Sequence, residues 1–153
     1  MNIDLRTALP MLLPSAIRWA EVRASEVAQS GSHLNENRIS IARAVGVIRP
    51  ELIRVALVDR LPLPEEPQLR TAALQTGLLG PGMVGLTLGY SVLICHGHDT
   101  IRLLSHEFRH VYQYEKFGSI ANFLPVYLQQ IVELGYANAP FEIDAKGHEI
   151  TGT

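Results

Sequence analysis

Charge is scarce in this chain of 153 residues: Asp, Glu, Lys and Arg together make up 18%, against about 25% in ordinary soluble domains. Neither sign dominates, since 13 basic and 15 acidic residues leave a net charge of −2. Without a basic excess a nucleic-acid partner is not expected, and the arginines are scattered rather than run together. Cysteine is nearly lacking. Cys95 stands alone and has no internal partner for a disulfide, so the expected compartment is the cytoplasm. Tryptophan is also single, and Trp19 is expected in the core or at an interface. Apolar residues, by contrast, make up 47% of the chain. That excludes a disordered polymer and leaves room for a homodimer.

Long apolar runs suited to a membrane are lacking too. Residues 71–98 carry no charge, but they include Gly77, Gly80, Pro81, Gly82, Gly85 and Gly89, poor material for a spanning helix. A glycine-rich turn leading into a buried strand is the expectation, and no membrane partner. The first 22 residues do not read as a secretory leader, because Asp4 precedes a short apolar stretch broken by Pro10 and Pro14.

No repeat or linker divides the chain, so 1–153 is expected to form a single domain. It comprises a helical part over 1–50, strands and loops over 51–98, and a last group of helices over 99–150. Composition and punctuation predict helices over 14–29, 37–48, 69–75, 101–116, 122–134 and 140–147, and strands over 52–58 and 84–95. Asp99 or Thr100 can cap the helix that follows. Pro125 is expected in a first turn, where its missing N–H costs nothing. The order helices, strands, helices implies an α+β fold with a small sheet.

The chemistry is concentrated in one helix. His106-Glu107-Phe108-Arg109-His110 is an HExxH sequence, and on a helix His106 and His110 lie one turn apart on one face. Two imidazoles so placed can share one tetrahedral zinc ion, with Glu107 beside them as a proton acceptor. With six His and eleven Glu in the chain, about 0.02 such motifs are expected by chance. Ile101, Leu104, Phe108 and Val111 make an apolar arc on the opposite side of the helix. The histidine face therefore needs a cover that brings a third ligand.

Glu115 lies on the same helix facing its apolar side, and Glu133 reads as solvated. Glu142 opens the last helix, from which a carboxylate can approach both histidines and leave a fourth position for water. His148 is the rival third ligand. Cys95-His96-Gly97-His98 is metal-like in composition but reads as a turn, for want of a second cluster with matching spacing.

His106 to Gln113, H-E-F-R-H-V-Y-Q, resembles the HExxHxxQ helix of small zincin-like predicted zinc metallopeptidases. The later stretch Y-A-N-A-P-F-E-I-D-A resembles the E-x-x-A element of gluzincins. The likeness spans about 86–145. It implies a zincin-like fold whose active-site helix packs on a small sheet, with one Zn2+ held by His106, His110 and Glu142. It further implies Glu107 as general base, an edge strand within 84–95 that holds an extended substrate, and hydrolysis of a peptide or protein. Many gluzincins continue E-x-x-A-D, whereas here Lys146 takes that place and Asp144 is a candidate for the aspartate's supporting role. Tyr112, Tyr114, Tyr127 and Tyr136 are the candidates for stabilising an oxyanion. The alternative is a catalytically inactive zincin-like scaffold that binds zinc or a protein without cleaving.

Overall fold

The computed structural model describes residues 3–151. It is an α+β fold of six α-helices and one mixed four-stranded sheet. Helix α1 spans Leu5–Ser30, beginning well before the position expected from the sequence. The Asp4 carboxylate accepts from the Thr7 N–H and caps its start. Pro10 and Pro14 sit inside the helix, each removing one N–H from the ladder. Both prolines and Arg6 lie on the exposed face, so the carbonyls left free are not buried in the core. Sequence reasoning treats those prolines as breaks, but exposure on one face makes them tolerable.

The strands are β1 (Ser32–His33), β2 (Arg54–Val58), β3 (Gly85–Leu88) and β4 (Ser91–Cys95), with α2 at Glu36–Ala44 and α3 at Pro67–Thr76 between them. The run 84–95, expected as one strand, is instead a hairpin. Gly89 takes φ +68° at the turn, a conformation that glycine adopts without steric cost. The sheet order is β1-β2-β4-β3, with β2 and β4 parallel and the other two pairs antiparallel. β3 is therefore an edge strand.

All five residues of β4 are buried, as a strand covered on both faces must be. Val92 and Ile94 pack with Leu104, Phe108 and Val111 on one side, and Leu93 and Cys95 pack with Ala16, Ala20 and Val27 of α1 on the other. The HExxH segment lies in α4 (Ile101–Phe117), whose first turn is capped by the Thr100 hydroxyl accepting from Leu103 N–H. Gly118, at φ +85°, ends it. Ile101, counted in the apolar arc, stays exposed at the helix start.

Helix α5 covers Ile120–Leu134 and α6 covers Pro140–Gly147. Pro125 lies inside α5 rather than in its first turn. The carbonyl it deprives of a partner belongs to Ala121, which is exposed, so the helix continues. Phe123 of α5 stacks on Phe141 of α6 at 5.0 Å between ring centroids, and the Phe141 N–H donates to Gln130 Oε1. These contacts fix the start of α6. No helix among the described residues is long and apolar enough to cross a membrane.

Candidate metal centre

Helix α6 closes over the histidine face of α4. His106 Nε2 lies 3.1 Å from Glu142 Oε1 and His110 Nε2 lies 3.0 Å from Glu142 Oε2. One ligand atom from each of the three residues falls within 4.8 Å of the others. Glu142 and His110 are buried and His106 nearly so, so the face is covered rather than solvated. Among the described residues no other group of His, Cys, Asp or Glu has this arrangement. His148 stays outside it, its Nδ1 at 2.8 Å from the Asp144 carbonyl. His96 and His98 are exposed in a turn, with His96 3.6 Å from Asp59. Glu115 anchors α4 to the loop after α2 by accepting from the Ile48 and Arg49 N–H groups. Glu133 is exposed and accepts from Gln129.

The outer nitrogens of both imidazoles have partners of their own. Gln113 Nε2 donates to Asp144 Oδ2 and to the Phe141 carbonyl, each at 2.9 Å. That fixes the amide so that its Oε1 faces His110 Nδ1 at 2.8 Å. Nδ1 must then carry the proton, and Nε2 is the atom left to face Glu142. Arg109 holds Asp144 through two contacts, 2.8 and 3.2 Å. Asp144 thus orients His110 through Gln113, with Lys146 exposed and uninvolved. On His106 the corresponding partner is Glu149, whose Oε2 accepts from Nδ1 at 2.8 Å. The segment carrying Glu149 is pinned by Ile150 N–H donating to the buried Ser105 hydroxyl.

Glu107 turns toward the edge strand. Thr87 Oγ1 lies 2.8 Å from its Oε1, and a Cβ at Gly85 would come within 2.8 Å of its Oε2. Glycine at 85 is what leaves the carboxylate room. The four tyrosines divide by contact. Tyr112 packs under the Arg109 guanidinium, Tyr114 donates to the Thr87 carbonyl, and Tyr127 donates to Glu142 Oε2 at 2.6 Å. Tyr136, half-buried, lines both openings of the site.

The electrostatics of the cluster are compatible with a bound cation. Burial works against a charged His106, but the Glu142 hydrogen bond and the charges of Glu107 and Glu142 outweigh it and raise its pKa to about 9. His110 is raised by the same balance. Burial would raise Glu142, yet hydrogen bonds from both histidines hold it well below the usual carboxylate range. Burial pushes the Tyr136 hydroxyl far up, with Glu142 and Glu107 adding to it. If both Nε2 atoms bore lone pairs they would face carboxylate oxygens with nothing between. Two protons relieve that conflict, and so does one divalent cation of the same total charge. The donor set of two imidazoles and one carboxylate suits zinc.

Sequence reasoning missed Thr87 and Gly85, and it missed the partner roles of Tyr127 on Glu142 and of Glu149 on His106. None lies at a recognisable spacing from the HExxH residues, and only Glu149 has a signal, since an imidazole that gives one nitrogen to a metal needs an acceptor for the other. Compared with known proteins, the chain matches no family model, no curated protein and no solved structure.

Proposed function

We propose that this protein is a zinc-dependent amide hydrolase of zincin-like type that acts on peptide bonds. The observation that carries the reading is convergence: two histidines one helical turn apart and a carboxylate from a second helix share one buried point. Behind them Gln113 and Glu149 hold the outward nitrogens, as metal-ligating histidines require. A zinc ion bound there would lower the pKa of a water molecule and polarise a carbonyl oxygen.

The chain's own residues supply the rest. Glu107, steadied by Thr87, accepts the proton of the attacking water and passes it to the leaving amine. Tyr136 stays protonated at neutral pH and stands at the site opening, where its hydroxyl can donate to negative charge growing on the carbonyl oxygen. The edge position of β3 suits an extended substrate. The Cys95 N–H bonds the Val84 carbonyl, so by alternation the backbone groups of Gly85 point away from β4 and are free to pair.

The test is zinc per chain by elemental mass spectrometry, followed by cleavage of a peptide library by wild type and Glu107→Gln. One zinc per wild-type chain, much less in Glu142→Ala, and cleavage lost in Glu107→Gln are the expected results. A second reading, a zinc-binding scaffold, is favoured by the burial of Glu107, His110 and Glu142. It predicts stoichiometric zinc with no cleavage of any peptide.

A further inference from the structure

Beside the candidate metal cluster an apolar cavity opens between α1, α3, β3, α4 and α5. Leu5, Leu9, Leu12, Ala16 and Trp19 line it in succession, alternating steps of four and three that keep one face of α1 turned inward. From Leu5 to Trp19 that wall runs about 21 Å at 1.5 Å per residue, far longer than any single amino-acid side chain. The charged groups in the lining are Glu107, His110 and Glu142, all at the metal cluster. No Lys or Arg faces the cavity among the described residues.

Apart from Tyr136 beside the site, the hydroxyls along the wall are already engaged. Thr76 bonds carbonyls of its own helix, Thr87 bonds Glu107, Tyr114 bonds Thr87, and Tyr127 bonds Glu142. A peptide threaded between α1 and α3, away from the β3 edge, would bury one N–H and one C=O per residue without partners, at a cost of a few kcal/mol each. A hydrocarbon chain carries no such groups.

Resting on the hydrolase reading above, we propose that the substrate is the amide of a long-chain acyl group, such as an N-acylated peptide. Its apolar tail lies along α1 and its amide sits at the His106–His110–Glu142 site. Hydrolysis then adds one water across that amide. A C–O bond forms and the C–N bond breaks, leaving a long-chain carboxylate and an amine that takes the proton from Glu107.

Trp19 is the single tryptophan of the chain and lines the cavity, so its emission reports occupancy without catalysis. Chelator-treated wild type is titrated with N-dodecanoylglycine amide, N-hexanoylglycine amide and N-acetylphenylalanine amide, each below its aggregation concentration. The dodecanoyl amide is expected to shift the Trp19 emission saturably and to bind at least tenfold tighter than the hexanoyl amide. Ala16→Phe, which fills the wall midway, should weaken the dodecanoyl amide at least tenfold and leave zinc stoichiometry at one. If that variant fails to fold, Ala73→Leu on the facing wall replaces it. Equal binding of the two chain lengths, or tightest binding of the phenylalanine amide, overturns the acyl assignment. A zinc-loaded protein that binds the dodecanoyl amide but leaves it uncut keeps the cavity assignment and removes the hydrolase reading. Cleavage independent of chain length does the reverse.

Discussion

Gln113 decides which nitrogen His110 presents to the centre. Its Oε1 accepts from Nδ1 at 2.8 Å, while its own N–H groups are committed to Asp144 and the Phe141 carbonyl. One side chain therefore ties the ligand helix α4 to the covering helix α6 and fixes the tautomer. Gln113→Leu should lower zinc affinity about 10–100-fold, the usual cost of losing a supporting partner. Gln113→Glu keeps the acceptor but sets a carboxylate 2.9 Å from Asp144 Oδ2, so it should not restore the affinity. Competition against a chromogenic chelator measures both.

In the proposed hydrolase Glu107 serves the chemistry and does not hold the metal. Glu107→Gln should keep one zinc per chain and lower hydrolysis by about a hundredfold or more, the usual contribution of a general base. Elemental analysis of the purified variant decides: zinc lost together with activity makes Glu107 structural and removes the mechanism.

Thr87 is the donor that steadies Glu107 inside the protein. Thr87→Val leaves that buried carboxylate without it, a loss of about 1–3 kcal/mol, read as a lower midpoint in urea unfolding. Thr87→Ser should recover most of the stability because the hydroxyl returns. Equal stability of Thr87→Val and wild type would show that the bond carries no weight.

Zinc uptake should depend steeply on pH. Without metal, His106 has a pKa raised to about 9, so at pH 7 its Nε2 carries a proton that the ion must displace. Affinity should rise with pH and level off above about 9, and calorimetry in buffers of different ionisation enthalpy should detect released protons. The metal-free fold behaves in the opposite sense. A raised histidine pKa stabilises it fully below the unfolded value near 6.5, and that contribution is lost as pH climbs through about 9. The thermal midpoint of chelated protein should therefore fall over that range, and a flat profile would contradict the His106–Glu142 pairing.

Zinc bound to the native state alone stabilises it by mass action. Chelation should lower the thermal midpoint of wild type, and should move that of Glu142→Ala much less. Scanning calorimetry with and without chelator checks this.

Much of the arrangement was legible in the residues. HExxH places His106 and His110 on one face of α4 because helical geometry is local, and Thr100 and Gly118 mark the ends of that helix by local backbone chemistry. Pro140 and Gly147 bound α6 in the same way. The β3–β4 turn at Gly89 and the course of α1 through Pro10 and Pro14 were not legible. A turn competes with a strand on small differences in free energy, and a proline is tolerated or not according to which face meets solvent.

The sequence by itself determined the candidate ligand types, their spacing on one helix and the α+β class, since each follows from short-range periodicity. Tertiary structure alone decided that Glu142 reaches both imidazoles, that Gln113 and Glu149 hold them, that Thr87 and Gly85 seat Glu107, and that α1 walls an apolar cavity beside them. Those contacts join residues up to dozens of positions apart. They depend on how helices and sheet bury their apolar faces together, a cooperative outcome that local spacing does not encode.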